Sequence, residues 1–522
     1  MWFAPEQVEK EHSMYSKIIG SAVYGVDGTT VLVEADVSDG LPSFSLVGYL
    51  SSSVKEAGER VRTALKNSDF MIPPKRITIN LAPAHMRKDG AGFDLPIALS
   101  ILLCLDIPCV QNMEEMCVVG ELGLDGSVKP VKGILSMVHY MYSEGKKQCM
   151  VPYENYHEAS LIRGIKIIPV RNLRDAAAYI STGKLIAVPD IEYENKTQQN
   201  EDFSDIKGQE SAKRGMEIAA AGFHNILLAG DAGAGKTMLA RRLPGIMPEL
   251  SFEEQLEVTK IYSVSGMLDE NNLLMSRRPF RTPHHTITEK SLVGGGGNPK
   301  PGEVSLAHSG VLFLDELLEF KKSVLEVLRQ PLEDKQIVVS RVNGKYVFPA
   351  DFILCAAMNN CPCGHYPDIS RCTCTPTQIS RYRARLSGPL LDRIDICVNV
   401  RKVEFDSLFS DFEAEKSAEI RARVEAAREI QKKRYENENI HFNAQLDASL
   451  QKKYIRLGEK EENALKQVFE KKKLSARGTN KIIKLSRTLA DLDKSTDIKL
   501  KHIEEACFYR NGADETQEVM GI

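Results

Sequence analysis

This sequence has few aromatic residues, no long apolar run and no large excess of charge of either sign. Aromatic residues make up 7% of the 522 residues and include one tryptophan. The longest apolar stretch, residues 97–105, is about half the length that a helix needs to cross a bilayer, so it predicts a buried helix and no membrane span. The first residues show no basic segment followed by an apolar one, which argues against a secretory signal.

The charged residues nearly cancel, because 68 Lys and Arg stand against 71 Asp and Glu, a formal net charge of −3. The chain is therefore no polycation, and nucleic-acid binding would require a local basic surface. Its eleven cysteines, an odd number, scatter along the chain, which is typical of a reducing compartment rather than of a bridged secreted protein. We expect a cytoplasmic globular protein.

The pattern changes along the chain in a way that suits several domains. Residues 1–185 mix short alternating strands with helical runs. Residues 186–205 are polar and lack apolar periodicity, so we predict an interdomain linker, with a surface loop as the alternative. In residues 206–403 apolar strands alternate with helices and turns, which is typical of a parallel sheet. Residues 404–522 are predicted to be helical and highly charged.

A phosphate-binding loop is the most specific motif. A predicted apolar strand at residues 225–230 is followed by a glycine-rich segment and then by a helix. The segment comprises Gly230, Asp231, Ala232, Gly233, Ala234, Gly235, Lys236 and Thr237 and matches G-x-x-x-x-G-K-[ST]. Such a loop closes its backbone N–H groups around phosphate oxygens, and the helix dipole assists. We expect ATP here, with Lys236 at the β- and γ-phosphates and Thr237 on Mg²⁺; a plain glycine-rich turn is the alternative.

Two further apolar strands end in polar residues suited to the same site. Asp315 and Glu316 follow residues 311–314, about 80 residues after the phosphate loop. Asp315 suits the Mg²⁺ shell, and Glu316 can polarise the attacking water. Asn359 follows the apolar residues 352–358, where an amide can sense the γ-phosphate or orient the water. For Asn359 a turn position is the alternative.

Four segments together resemble the magnesium-chelatase-like AAA+ ATPases of the YifB/ComM family, namely residues 230–237, 301–316, 356–364 and 386–395. The resemblance covers nearly the whole chain. It implies an α/β protein with an AAA+ P-loop core of parallel strands and a helical lid, assembled as a homo-hexameric ring that binds ATP between subunits. It also implies DNA helicase activity in branch migration, as in ComM.

The same resemblance assigns roles to two arginines. Arg393, in the segment LLDRID, matches the arginine finger that offers a cation to the γ-phosphate of the neighbouring subunit. Arg477 matches the sensor-2 arginine of the lid. Arg381, Arg383 and Arg385 lie near Arg393, and an ordinary surface charge is the other interpretation of either arginine.

Relatives in this branch carry a β-hairpin before the strand that ends at Asn359. Here residues 336–341 and 346–349 flank an Asn343-Gly344 dipeptide, a strong hairpin signal. We expect Arg341 and Lys345, near its tip, to contact the phosphate backbone of DNA in a ring pore. An exposed hairpin with ordinary surface charges is the alternative. The basic residues 277–285, with glycines at 294–297, suggest a second pore loop.

Residues 82–99 and 119–135 resemble the α+β proteolytic domain of Lon, whose active members use a Ser-Lys dyad. In this chain the K-D-G sequence at residues 88–90 is followed directly by Ala91, Gly92 and Phe93, with no serine, and the place of the dyad lysine falls at Leu135. We therefore expect a domain without the catalytic dyad, which binds a partner or nucleic acid or stabilises the ring.

Cys361, Cys363, Cys372 and Cys374 form a C-x-C-x8-C-x-C pattern. Four thiolates on one loop can hold a tetrahedral Zn²⁺ ion. Packed thiols without a metal, or a disulfide, are the alternatives.

The leading functional hypothesis is an ATPase whose hydrolysis drives translocation on DNA. Because the hydrolysis motifs do not encode the cargo, a chelatase-like or chaperone-like ATPase that remodels a protein partner is the alternative. A scaffold that binds nucleotide without hydrolysing it is a third hypothesis.

Overall fold

The computed structural model of the protein describes residues 15–188, 201–268, 273–341, 344–402 and 414–518. The chain forms two compact units. The first holds the described residues of Met1–Asn195, Thr259–Leu274 and Val338–Val347, and the second holds those of Lys196–Val258, Met275–Ile337 and Phe348–Ile522. Most of the predicted linker lies outside the described residues, and the predicted domain bounds stay a prediction. In the described part of the chain, no helix is both long and apolar enough to span a bilayer.

Short strands and helices alternate along the described residues. The strands are β1 (Tyr15–Tyr24), β2 (Asp27–Ser38), β3 (Ser43–Val47), β4 (Arg76–Ala82), β5 (Met116–Val118), β6 (Glu121–Leu122), β7 (Val128–Lys129), β8 (Gln148–Pro152), β9 (Lys166–Val170), β10 (Ile226–Gly230), β11 (Phe280–Arg281), β12 (Gly294–Gly295), β13 (Lys300–Pro301), β14 (Val311–Leu314), β15 (Gln336–Arg341), β16 (Gly344–Pro349), β17 (Ile353–Met358) and β18 (Ile396–Val400). The helices are α1 (Ser52–Lys55), α2 (Ala57–Asn67), α3 (Asp94–Cys104), α4 (Ile134–Ser143), α5 (Tyr156–Ala159), α6 (Leu173–Thr182), α7 (Glu210–Gly222), α8 (Lys236–Ile246), α9 (Phe252–Ser265), α10 (Glu289–Val293), α11 (Glu303–Leu306), α12 (Lys322–Glu326), α13 (Arg329–Asp334), α14 (Pro376–Arg383), α15 (Gly388–Leu391), α16 (Ser417–Arg434), α17 (Ala448–Tyr454), α18 (Glu459–Lys472), α19 (Ala476–Leu492) and α20 (Leu500–Glu518).

The first unit is built on a seven-stranded mixed sheet in the order β3-β4-β2-β1-β5-β8-β9. β2 pairs antiparallel with both β1 and β4, while β5, β8 and β9 run parallel to one another. Residues 97–104 of the apolar stretch lie in α3, where all residues but Leu103 are buried, so the predicted buried helix is confirmed. Apolar side chains surround α3 and belong to the core of this unit, as expected for a helix that is buried on all sides.

The second unit contains a five-stranded sheet in the order β11-β14-β17-β10-β18, and each neighbouring pair is parallel. The parallel sheet predicted for residues 206–403 is thus confirmed. β10, β14 and β17 are short apolar runs with almost every side chain buried, as expected for parallel strands covered on both faces. Because the strands are parallel, the loops that follow β10, β14 and β17 all leave from one edge of the sheet.

The C-terminal helices complete the second unit. α16, α19 and α20 lie within the charged regions for which we predicted helices, and residues 403–413 before them fall outside the described part. Val424 of α16, Leu489 of α19 and Ala506 of α20 belong to the same apolar core as Ile226 of β10. The sheet and these helices therefore share one core.

Candidate nucleotide site

The phosphate loop lies between β10 and α8, as its sequence predicts. Gly233 and Gly235 have φ values of 76° and 88°, a left-handed conformation that glycine adopts without steric cost. A Cβ at Gly230 would collide with the carbonyl oxygen of Val400 on the neighbouring β18. The backbone conformation and the close approach of β18 therefore require glycine at these positions. The helix α8 begins at Lys236, so the free N–H groups of its first turn face the phosphate loop.

The amino group of Lys236 lies at the centre of the site. Its Nζ donates to the carbonyl oxygens of Gly230 at 2.9 Å and Asp231 at 2.7 Å, and to Oδ1 of Asn359 at 2.9 Å. Burial lowers the pKa of Lys236, although the carboxylates of Asp315 and Asp231 oppose this shift. An ammonium group held in a water-poor loop attracts phosphate oxygens more strongly than one in bulk solvent.

Thr237 and Asp315 meet directly across the site. Oγ1 of Thr237, the second residue of α8, donates to Oδ2 of Asp315 at 2.7 Å. Asp315 follows β14, so the carboxyl edge of the sheet brings the two side chains together. A hydroxyl and a carboxylate are the hard oxygen ligands that Mg²⁺ prefers, so this pair fits the ion that the phosphate-loop motif implies.

Glu316 has an unusual backbone conformation for its residue type. Its φ is 51°, and its side chain is 57% exposed, next to the buried end of β14. Non-glycine residues with positive φ are uncommon and cluster at functional sites. Its exposed carboxylate remains accessible to water beside the Thr237–Asp315 pair.

His285 also belongs to this site, where the sequence predicts no role for it. Its Nδ1 lies 3.6 Å from Oε2 of Glu316, and its ring contacts Phe320 edge to face. His285 follows β11, which pairs in parallel with β14, so it leaves the sheet at the same edge as Glu316. That placement was not readable from the sequence, because β11 has only two residues.

Asn359 is brought to the phosphate loop rather than to an ordinary turn. It follows β17, the strand between β14 and β10, and its side-chain oxygen accepts the Lys236 hydrogen bond described above. The structure therefore brings together Lys236, Thr237, Asp315 and Asn359, with Glu316 beside Asp315.

Arg393 lies at the end of the sheet where the parallel strands begin, opposite the phosphate loop. It precedes β18, whose first residue Ile396 pairs with Ile226 at the start of β10, so about 13 Å of strand separates it from the phosphate loop. Its side chain is 10% exposed, forms an ion pair with Glu333 and donates to the carbonyl oxygen of Arg329 at 3.2 Å. The structure does not bring Arg393 to the phosphate loop of its own chain.

The neighbouring arginines differ strongly in exposure. Arg383 is buried and donates to the carbonyl oxygen of Asn360 at 2.9 Å. Arg385 is 52% exposed and lies 3.3 Å from a carboxylate oxygen of Glu319. Arg381 is exposed. Arg383 is therefore a structural residue, whereas Arg381 and Arg385 remain the alternatives to Arg393.

Arg477 is the second residue of α19 and is exposed. Ser475 caps this helix by accepting the N–H of Gly478 at 3.1 Å. One helical turn later, Lys481 lies 3.2 Å from Asp395, two residues beyond Arg393. Burial raises the pKa of Asp395, but the charge of Lys481 and a hydrogen bond with His224 lower it, and the net result is below its usual range. The same helix thus carries Arg477 and contacts the segment that carries Arg393.

The expectation of a second basic pore loop at residues 277–285 is wrong for two of its arginines. Arg278 is buried and donates to the carbonyl oxygens of Pro248 at 2.6 Å and Ser309 at 2.7 Å. Arg281 belongs to β11 and lies 2.7 Å from a carboxylate oxygen of Glu303. Both guanidinium groups are satisfied inside the second unit, so they do not form a basic loop surface.

The predicted hairpin is present as the pair β15 and β16. Val342 and Asn343, half of its predicted turn, lie outside the described residues. Arg341 is the last residue of β15 and Lys345 is the second residue of β16, on either side of that turn, and both are exposed. In the first unit, Tyr346 stacks on Tyr24 with ring centroids 4.4 Å apart. Contact of Arg341 and Lys345 with DNA stays a prediction.

In the segments that resemble Lon, the residues at and near the dyad positions have structural roles and do not form a catalytic dyad. Lys88 is fully buried, and its amino group donates to the carbonyl oxygens of Pro83 and, at 2.9 Å, Met86. Leu135, at the place of the dyad lysine, is buried in α4. Lys88 is therefore a buried residue whose amino group is bound by backbone carbonyl oxygens, next to the loop that lacks the serine.

The four cysteines converge although they come from the two ends of a loop. The sulfur of Cys361 lies 3.3 Å from that of Cys363 and 3.8 Å from that of Cys372, and Cys363 and Cys372 are 3.6 Å apart. With Cys374 included, all four sulfurs lie within 4.8 Å of one another. Each of the eleven cysteines is a free thiol. The group can hold a metal ion.

Three family models match successive parts of the chain. The model described as magnesium chelatase, subunit ChlI, matches residues 202–408, which contain the phosphate loop and both acidic residues. The model of the ChlI C-terminal segment matches residues 414–510. A third, described as subunit ChlI of Mg-chelatase, matches residues 33–155.

Known proteins are similar over most of the same length. Competence protein ComM of Haemophilus influenzae is 41% identical over 500 residues, which cover 94% of this chain and 97% of that protein. The YifB protein of Escherichia coli is 40% identical over 490 residues, which cover 94% of this chain and 96% of that protein. Lon protease 2 of Bacillus subtilis is 27% identical over 175 residues, 30% of this chain and 31% of its own length.

Proposed function

The chain belongs to the magnesium-chelatase-like AAA+ family of ComM and YifB, and from this premise we propose that it is an ATP-hydrolysing, homo-hexameric motor that acts on DNA in the cytoplasm. Family membership confirms the predicted fold class, an α/β protein with an AAA+ parallel-sheet core and an N-terminal region related to Lon. It also supports the use of ATP and Mg²⁺. DNA translocation, helicase activity and the six-subunit ring are the finer parts of the proposal.

One observation carries the ATPase part, namely the convergence of Lys236, Thr237, Asp315 and Asn359 within hydrogen-bond distance at one edge of the sheet. We infer that Lys236 and the backbone N–H groups of the phosphate loop hold the β- and γ-phosphates. Thr237 and Asp315 would hold Mg²⁺, which neutralises charge on these phosphates when it is bound.

Hydrolysis itself is assigned to Glu316 and Asn359. The Glu316 carboxylate accepts a proton from a water molecule as the water attacks the γ-phosphorus and the bond to ADP breaks. The Asn359 amide can orient that water or the γ-phosphate, because its oxygen is already held at Lys236. His285, next to Glu316, can position the carboxylate.

The placement of Arg393 supports assembly into a ring. It lies beyond reach of the phosphate loop of its own chain, so it can serve catalysis only at the site of a neighbouring subunit. There its guanidinium would stabilise charge that develops on the transferred phosphoryl group. Arg477, exposed at the start of α19, is proposed as a second cation for the nucleotide.

The DNA part of the proposal depends on the β15–β16 hairpin. Arg341 and Lys345 place two exposed cations beside its turn, a suitable arrangement for contacts with phosphates rather than base edges. Binding through phosphates is independent of base sequence and weakens as salt rises. We therefore expect recognition of DNA structure or backbone rather than of a sequence.

A protein-remodelling ATPase is the second candidate. It is favoured by the three matching family models, which are named for a magnesium chelatase subunit and not for a DNA enzyme. The two candidates share the nucleotide site and differ in what stimulates turnover. DNA-stimulated hydrolysis supports the first, and stimulation by a protein partner with indifference to DNA supports the second.

The experiment compares the wild type with Glu316→Gln in ATP hydrolysis and in strand displacement on forked and four-way DNA. We expect the wild type to hydrolyse ATP and displace strands. We expect Glu316→Gln to bind ATP but lose turnover by about 10²-fold or more, the usual contribution of a positioned base. If the wild type hydrolyses ATP but never moves a DNA strand, the helicase proposal is wrong. Absence of turnover in assembled wild-type rings would favour the scaffold hypothesis.

A further inference from the structure

The loop between β17 and α14 lacks a core of its own. Residues 359–375 contain no helix or strand, and they carry Cys361, Cys363, Cys372 and Cys374. Cys361 is buried, whereas the other three are only partly buried. Thiols that merely fill a core are expected to be fully buried, so packing alone does not explain why these four sulfurs converge.

The spacing of the sulfurs is close to that of a tetrahedral metal site. Zn–S bonds of about 2.3 Å place the sulfurs of a tetrahedral site about 3.8 Å apart. The separations among the sulfurs of Cys361, Cys363 and Cys372 are 3.3, 3.6 and 3.8 Å, and all four sulfurs, with that of Cys374, lie within 4.8 Å of one another. A disulfide would require about 2.05 Å and would join the sulfurs in pairs, whereas each of these three sulfurs approaches the other two.

This loop also contacts the phosphate loop. The N–H of Ala232, inside the phosphate loop, donates to the carbonyl oxygen of Gly364 at 3.1 Å, and Gly364 directly follows Cys363. Gly364 has a φ of 77°, and a Cβ there would lie 2.8 Å from the Cβ of Ala232. The two loops therefore approach so closely that only glycine fits.

The cysteine-containing loop is also held in place by α14. The buried Arg383 of α14 donates to the carbonyl oxygen of Asn360 and lies over the ring of Tyr366, 5.1 Å from its centroid. The N–H of Tyr366 donates to the sulfur of Cys361 at 3.4 Å. In the chain, Cys361 and Cys363 thus lie between Asn359, whose side chain contacts Lys236, and Gly364, whose carbonyl oxygen contacts Ala232.

We propose that Cys361, Cys363, Cys372 and Cys374 bind one structural Zn²⁺ ion, and that this ion holds Gly364 against Ala232 and so braces the phosphate loop for nucleotide binding. The ion takes no part in hydrolysis. It supplies the cross-link that a loop without its own core needs. The effect on nucleotide affinity rests on the proposed function, whereas metal binding does not.

The first test is the metal content of the full-length protein, measured by mass spectrometry after purification under reducing conditions. We expect one Zn²⁺ per chain in the wild type, loss of the ion in Cys363→Ser with Cys372→Ser, and full retention in Cys109→Ser. Cys109 is an exposed cysteine in the first unit and serves as the matched control. A wild-type protein that holds no zinc and takes up none on titration would overturn the proposal, as would iron in its place or a disulfide among the four cysteines.

The second test measures binding of a fluorescent ATP analogue, which needs no turnover. Removing zinc with a chelator should weaken binding about tenfold, the effect of losing roughly one hydrogen bond, and adding zinc back should restore it. Gly364→Ala should weaken binding while keeping zinc, since the added Cβ separates the loops without removing a ligand. Unchanged affinity in both the zinc-free protein and Gly364→Ala would overturn the bracing role.

A third variant separates failure of this inference from failure of the proposed function. Lys236→Ala should keep one Zn²⁺ per chain and lose nucleotide binding. If the zinc-loaded wild type binds no nucleotide at all, the proposed ATPase is wrong while the metal site stands. If it binds nucleotide equally well with and without zinc, the ATPase stands and the bracing role is wrong.

Discussion

The proposed sharing of one active site between two subunits can be tested by mixing two inactive variants. Arg393→Ala removes a guanidinium that lies at the amino-terminal edge of the sheet, away from the phosphate loop of its own chain. Lys236→Ala removes the amino group that contacts Asn359 in the site itself. Each variant alone should lose turnover, because an arginine finger is worth about 10³-fold or more and the phosphate loop cannot function without its lysine.

The mixture should recover activity in a proportion that the ring geometry sets. An interface works when one subunit supplies an intact Lys236 and the next supplies an intact Arg393. In a random ring of equal parts each condition holds for about half of the subunits, so about a quarter of the interfaces are competent. We therefore expect the mixture to reach up to about a quarter of wild-type turnover, whereas each variant alone stays near background.

The assay measures ATP hydrolysis in rings whose mixed composition is established by differently tagged subunits. Arg393 is largely buried and paired with Glu333, so thermal unfolding of Arg393→Ala must be measured to show that it still folds. Arg385→Ala is the matched control on the same segment, since Arg385 is half exposed and also faces a carboxylate. We expect it to keep near-wild-type turnover.

Two results would refute this reasoning. One is an Arg393→Ala variant that assembles and hydrolyses ATP at the wild-type rate. The other is a mixed ring that is no more active than either variant alone. A loss of turnover in Arg385→Ala but not in Arg393→Ala would move the role to the neighbouring arginine while keeping the shared site.

Three further predictions concern single side chains. Thr237→Ala removes the hydroxyl that contacts Asp315, so the Mg²⁺ concentration for half-maximal turnover should rise about tenfold; an unchanged Mg²⁺ dependence contradicts the ligand role. His285→Ala removes the ring next to the Glu316 carboxylate and should lower kcat about threefold to tenfold with little change in KM. His285→Gln should restore part of the lost kcat, and an equal kcat in the wild type and His285→Ala would exclude a positioning role. Lys345→Ala should keep the basal ATPase activity and lose most of the stimulation of this activity by DNA. Lys300→Ala, at another exposed lysine, is the control and should keep that stimulation. Stimulation that survives in Lys345→Ala would place the DNA contact elsewhere.

Much of the nucleotide site could be predicted because its signals are local. The phosphate loop, Asp315, Glu316 and Asn359 each follow an apolar strand directly, and a parallel sheet brings the ends of its strands to one edge. The structure indeed brings Lys236 within 2.9 Å of Asn359 and Thr237 within 2.7 Å of Asp315. The roles of these residues in hydrolysis stay predictions.

The basic segment at residues 277–285 shows where local patterns mislead. A run of arginines and histidines looks like an exposed cationic loop, but Arg278 is buried among carbonyl groups and Arg281 is paired with Glu303. His285 from the same segment instead reaches Glu316. The partner of a long cationic side chain depends on which distant segment packs beside it, and the sequence around an arginine does not contain that information.

By itself, the sequence determined the parallel-sheet core, the phosphate loop and the family, because strand-loop-helix signals and contiguous motifs act over a few neighbouring residues. Only the tertiary structure decided that Arg393 lies away from the phosphate loop of its own chain, that His285 accompanies Glu316, and that the cysteine loop touches Ala232. Each of these contacts or separations joins residues that are far apart in the chain. They arise from the order of strands in the sheet, which no local pattern encodes.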